Sequence, residues 1–91
     1  MSGVSHLTGK QCQQFHKALL ASFDRASLEN MVKFELDERL DVIVGGETLS
    51  DIVFHLILWA ERNGKLSDLI QGSLSTQKGN SLLKAFADSV L

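Results

Sequence analysis

Proline and tyrosine are absent from the 91 residues, and cysteine and tryptophan occur once each. Each gap closes off something. Without proline, nothing in the chain forces a break in a helix interior. With Cys12 alone, no intrachain disulfide can form, and neither a CxxC pair nor a Cys/His zinc spacing occurs, so a reducing, cytoplasmic location is the simplest expectation. A surplus of positive charge is also missing. The formal net charge of −2 supplies no global attraction to nucleic acid or acidic membranes, which depends on clustered Lys and Arg, and neither partner is expected. The start, "MSGVSHLTGK", lacks the basic residues and apolar core of a signal peptide. The longest apolar run, residues 52 to 60, is broken by His55 and falls short of the roughly 20 residues that a spanning helix needs.

What is present is a hydrophobic fraction of 44%, with apolar residues recurring at intervals of three and four and no alternating β-branched runs. That pattern predicts a single all-α domain over residues 8–91, preceded by a short tail over 1–7 and burying roughly 60 to 65% of its unfolded surface. Thr8 and Gln11 form a T-x-x-Q capping box for a first helix ending near Ser22, with Cys12, Phe15, Leu19 and Phe23 facing inward, joined by His16 or Leu20. Ser27 is the next cap candidate, ahead of a stripe of Leu28, Met31, Val32 and Leu36 with Phe34 on its flank. This second helix should close around Asp37. Residues 38 to 43 carry Leu40 and Ile43 at the spacing of one anchored helical turn. Thr48 then caps a helix whose Leu49, Ile52, Val53, Leu56, Ile57, Trp59 and Ala60 cover so much of its circumference that it should sit at the centre, closing at Asn63-Gly64. Its polar stripe, Asp51, His55 and Arg62, is interrupted by Leu58. Leu66, Leu69, Ile70 and Leu74 define a further helix, "STQKGN" a polar turn, and Asn80 or Ser81 the cap of a last helix that buries Leu82, Leu83, Phe86, Ala87 and Val90. Five main helices and one short helical turn make a compact bundle.

Catalytic and ligand-binding chemistry is thinly represented. Asp24, His6, His16, His55 and Cys12 are the residues an enzyme would need; Cys12 and His16 lie one turn apart, but a nucleophile also needs an orienting group and an oxyanion site, and a buried structural Cys is the plainer reading. Asp51 and His55 are likewise one turn apart, without further ligands to complete a metal site; a surface ion pair is the plainer reading. "TGKQ" lacks the first glycine and the Ser/Thr of a phosphate-binding loop. "DVIVGGET" contains the Ile-Val-Gly-Gly run with which chymotrypsin-like proteases begin, yet only helical pattern follows it. Gly45 and Gly46 read as a reversal, with Ile43 as a core anchor before it and Thr48 as the cap after it. No enzyme activity and no cofactor is expected.

Charge is segregated along the chain. Residues 1 to 34 carry a net +2, residues 35 to 51 a net −5 and the remainder +1. An acidic middle between basic ends is the pattern of two complementary patches on one small domain, which favour head-to-tail contacts.

From Leu7 onward the chain resembles a known family. The Leu7-Thr8 start with its amphipathic first helix, the "FEL" segment at Phe34-Glu35-Leu36, the Leu40 to Ile43 turn, the Gly45-Gly46 bend and "VFHLILWAERNGKLSDLI" at 53 to 70 are together similar to the bacterial effector-associated domains of the first type. Leu58 departs from that pattern, where a polar residue would be expected. The resemblance implies a death-like six-helix fold and an adaptor role without catalytic residues. Its partners would be matching domains fused to a protease, an NTPase or another effector or signalling module in bacterial conflict systems, with self-association as a further possibility. On that basis the expected partner surface is acidic, Glu35, Asp37, Glu38 and Asp41, against basic Lys10, Lys17, Arg62 or Lys65, with Leu58 as an apolar centre. The alternative is a small ligand- or anion-sensing domain using the Gly45-Gly46 bend and the helix start at Thr48, where Glu47 and Asp51 already occupy the favourable dipole end. The last helix reaches the final residues without a C-cap signal, which suggests a domain drawn from a longer protein; a stand-alone adaptor is the other option.

Overall fold

A computed structural model describes residues 7–40, 48–77 and 79–90. Among these residues the regular structure is entirely helical: α1 (Gly9–Ser22), α2 (Arg25–Leu36), α3 (Leu49–Arg62), α4 (Leu66–Thr76) and α5 (Ser81–Val90). Of the turn expected over residues 38 to 43, Leu40 is helical and buried, while Glu38 and Arg39 ahead of it are not helical. Its residues 41–43, with Asp41 and Ile43, lie outside the described residues, as do the Gly45-Gly46 bend, Glu47, His6 and Lys78.

The helix starts follow their local chemistry. Thr8 accepts from the Gln11 N–H at 3.2 Å while Gln11 Oε1 accepts from the Thr8 N–H at 3.0 Å, so the expected box closes α1. Thr48 Oγ1 accepts from the Asp51 N–H at 3.1 Å and begins α3. Asn80 Oδ1 accepts from the Leu83 N–H at 2.9 Å, which selects Asn80 over Ser81 as the cap of α5. α2 differs from expectation. Its cap is Asp24, whose Oδ1 accepts from the Ser27 N–H at 2.8 Å, and Ser27 Oγ accepts in return from the Asp24 N–H at 3.0 Å. Asp and Ser are comparable cap formers. Three residues apart, they act as the two halves of one box rather than as rivals, and the helix gains its first turn at Arg25.

Packing departs from the sequence pattern in two places. α4 packs against α2, α3 and α5, whereas α3 packs chiefly against α1 and α4. The hub is thus α4 rather than the more apolar α3, whose Phe54 stays 44% exposed and whose Leu49, Leu58 and Trp59 are only partly covered. On α5, Leu83, Phe86 and Ala87 are buried, but Leu82 is 54% exposed, contrary to expectation. Leu82 lies about 100° from Leu83 on a helix; with Leu83 directed at the core, Leu82 falls on its rim. α4 also runs on through Ser75 and Thr76, so the polar turn is shorter than "STQKGN". Gln77 follows and donates from Nε2 to the Ser22 carbonyl at 2.8 Å, tying the ends of α4 and α1 together.

The core is one cluster running from Leu7 to Ala87, with Phe15 and Phe86 stacked at 4.6 Å between ring centres. Two glycines have definite tasks in it. Gly64 turns the chain between α3 and α4 with φ of 67°, a region that costs any other residue strain. Gly72, buried on α4, lets α2 come close: a Cβ there would stand 2.7 Å from Glu35 Cβ.

Gly72→Ala is therefore expected to destabilise the fold by about 1–2 kcal/mol, the overpacking cost outweighing alanine's helical preference, with a fall in Tm of roughly 5–15 °C. Thermal unfolding followed by circular dichroism measures this, and an unchanged or raised Tm would contradict the close approach. The Asp24 cap generates a pH test. The Ser27 N–H and then its hydroxyl hold the Asp24 carboxyl below the usual range. Its folded-state pKa being depressed, its contribution is fully present above the ordinary Asp value of about 3.9 and is lost as pH falls through the lower value. Asp24→Asn, which keeps an accepting oxygen, should flatten that part of the Tm-versus-pH curve, whereas Asp24→Ala should lower Tm at neutral pH as well.

Candidate interaction surface

The acidic expectation maps onto one end of α2. Asp37 leaves the helix in the left-handed conformation, φ 55° and ψ 40°, with its N–H donating to the Val32 carbonyl. The Glu38 N–H reaches the same carbonyl at 3.4 Å. Asp tolerates this backbone region better than most residues because its short side chain can bond locally. Glu35 and Asp37 are exposed and Glu38 is half-buried. Beside them is a side chain that the sequence pattern left on a flank: Phe34 is 79% exposed. Met31, Val32 and Leu36 are buried and Glu35 covers Gly72, so the helical rotation leaves Phe34 pointing outward.

The expected basic residues are spread over α1, the end of α3 and the approach to α4. Lys10 and Lys17 are exposed on α1. With Gln14 and Ala21 they follow i, i+4, i+7 and i+11, the spacing of one helix face. Arg62 is exposed in the last turn of α3, and Lys65 is half-buried ahead of α4 with no side-chain capping bond. The Leu7 N–H donates to Glu61 Oε2 at 3.0 Å, which sets the start of α1 beside the end of α3. Lys10 and Arg62 therefore belong to one end of the molecule, and Lys17 lies two turns along from Lys10. Leu58 is half-buried one turn before Arg62.

Next to Lys17 the structure opens a feature absent from the sequence reading. A groove of about 240 Å³ runs between α1 and α5, lined by Gln14, Lys17 and Ala18 on one side and Leu82, Ala85 and Phe86 on the other. Its two walls are remote in sequence. The signal that could have pointed to it is a pair of small residues, Ala18 and Ala85, on facing helices.

A family model described as effector-associated domain 1 matches residues 5–91. The chain belongs to the effector-associated domain 1 family. Searches of curated proteins and of solved structures returned no match. An effector-associated domain is a small helical accessory domain rather than a catalytic family, and an adaptor-like part of effectors.

The would-be chemical residues of this effector-associated domain are engaged otherwise. His16 Nε2 is 2.9 Å from the Ser50 carbonyl oxygen and 3.2 Å from Ser50 Oγ. A carbonyl only accepts, so Nε2 carries the proton and joins α1 to the first turn of α3. It is not free at that atom to take a proton from Cys12. Burial pushes the Cys12 thiol up, and the charge of Glu61 adds to the shift, the reverse of an activated nucleophile. Among the described residues no group of three or more His, Cys, Asp or Glu is arranged to hold a metal ion, and no helix is long and apolar enough to cross a membrane.

At neutral pH, Cys12 should therefore react with iodoacetamide more slowly than free glutathione does. Mass spectrometry of a timed reaction gives the rate, and one equal to or above that of glutathione would restore Cys12 as a candidate nucleophile.

Proposed function

We propose that this domain is a non-enzymatic adaptor that recruits a matching domain of an effector or signalling protein in a bacterial defence system. Family membership supports the adaptor role. The single observation that carries the choice of surface is the end of α2, where an exposed Phe34 stands between Lys33 and Glu35 in the chain and is followed by Asp37 and Glu38. Asp41, just beyond the described part of this segment, adds a fourth carboxylate in sequence. The complementary surface on the partner is basic, of the kind that Lys10, Lys17, Arg62 and Lys65 supply on this chain.

The division of labour is physical. Exposed ion pairs contribute about 0–1 kcal/mol each, so four carboxylates orient and accelerate the encounter more than they hold it. An aromatic side chain at the centre of the contact supplies the persistent part, since hot spots are enriched in large side chains that become fully desolvated. Phe34 fits that role with more exposed area than the half-buried Leu58, which remains a second apolar contact beside Arg62. Binding of this composition is moderate and salt-sensitive.

The test uses proteins of the same genome that carry an effector-associated domain, purified one at a time and titrated calorimetrically with this chain. Glu38→Lys together with Asp41→Lys should weaken binding to the partner by at least about tenfold while leaving the helical circular dichroism spectrum intact. Affinity unchanged by the reversal would remove this patch from consideration.

A further inference from the structure

We propose that Phe34 of one copy of this chain seats in the α1–α5 groove of the next, joining copies head to tail. This rests on the reading of the domain as a module that binds its like, and names the two surfaces that meet.

Size and shape come first. Phe34 projects from α2 at 79% exposure, and the groove measures about 240 Å³. A cavity of about 150 Å³ is enough to take benzene, so the groove has room for a phenyl ring together with part of its stem. Ala18 and Ala85 leave that room by being small. The floor is Phe86, 4% exposed and backed by the stacked ring of Phe15 at 4.6 Å, so an incoming ring meets a firm aromatic surface. Leu82, 54% exposed at the rim, gains cover from the same contact.

Charge selects the occupant. Phe34 is followed along the chain by Glu35, Asp37 and Glu38, which with Lys33 and Arg39 leave residues 33–39 at a net −1, while the groove is flanked by Lys17 and, farther along the same face of α1, by Lys10. The other polar lining residues, Gln14 and Ser89, are neutral, so no lining carboxylate opposes the acidic end of α2. A second copy of this chain thus brings both the ring and the complementary charge. The two patches lie on different helices, Phe34 on α2 and the groove between α1 and α5. The contact is heterologous, and it propagates as an open chain or closes as a ring larger than a dimer.

Sedimentation velocity over a concentration series at low salt tests this. The wild type should show mass above the monomer that grows with concentration and recedes as salt is added. Phe34→Ala and Ala85→Glu both alter exposed side chains. Each should raise the concentration for half-association by at least about 30-fold while leaving the circular dichroism spectrum unchanged. Mixed in equal amounts they should form a 1:1 dimer and nothing larger, because one variant keeps the ring and the other keeps the groove. A wild type that stays monomeric or stops at a dimer, variants that associate like the wild type, or a mixture that fails to dimerise would each overturn the proposal. Recruitment is read separately by calorimetry. An effector-borne domain that binds wild type and Phe34→Ala equally leaves recruitment standing and removes the role of Phe34. A chain that self-associates as described yet binds no such domain overturns recruitment alone.

Discussion

The contact between α2 and α4 at Gly72 sets the register on which the exposed surface depends. Glu35 Cβ sits where a Cβ on residue 72 would have to go, so the two helices can approach only with Gly72 and Glu35 face to face. Once Glu35 faces α4, the rotation of α2 is fixed. Met31, Val32 and Leu36 enter the core, and Phe34 is turned toward solvent. Leaving a phenylalanine outside forfeits about 1.5–3 kcal/mol of burial, a cost that a different rotation of α2 could reduce only by exposing several buried residues in its place. The aromatic on the acidic surface is a consequence of packing on the opposite face of the helix.

A second constraint comes from three long-range polar contacts: Leu7 to Glu61, His16 to Ser50 and Gln77 to Ser22. A hydrogen bond of this kind contributes roughly 1 kcal/mol net, little beside the burial of twenty-one hydrophobic side chains among the described residues. Their effect is on geometry. The first two hold the start and the middle of α1 to the end and the start of α3 and so fix the pair as antiparallel, while the third closes the corner where α4 and α1 end. With α1 fixed against α3, its Lys10, Gln14 and Lys17 face lies away from that contact and becomes one wall of the groove. The same contacts take His16 and Glu61 into structural service.

What could be read from the sequence was what the chain decides locally. Thr8 with Gln11 and Thr48 with Asp51 are within one helical turn of each other, so their spacing alone defines the starts of α1 and α3. For α2 the pattern points to Ser27, while Asp24, three residues earlier, reads as a candidate for enzyme chemistry; for α5 it leaves Asn80 and Ser81 level. Phe34 reads as a flank residue and Phe54 falls outside the apolar stripe, in line with their exposure, but that of Leu82 was beyond reach. Leu82 lies at the edge of an apolar stripe, where exposure depends on how far a neighbouring helix reaches around, and that is set by residues distant in sequence. The acidic side of the candidate surface was legible because Glu35, Asp37 and Glu38 are consecutive in effect; the groove was not, because Lys17 and Ala85 come together only in the folded chain.

The separation of the two patches bears on how such a domain works at low affinity. A self-complementary patch closes on itself, and association then stops at two subunits. An acidic, aromatic end on α2 and a lysine-flanked groove on α1 and α5 cannot be satisfied by each other within one molecule, because Phe34 is held outward by the α2–α4 register. In the proposed assembly, a copy engaged through one patch keeps the other open. Clustering several weak contacts raises the effective concentration of what they carry, so avidity grows without any single interface becoming strong. Ion pairs between exposed side chains are screened within about 8–10 Å at ordinary ionic strength. The proposed assembly would therefore form and come apart over modest changes in concentration and salt.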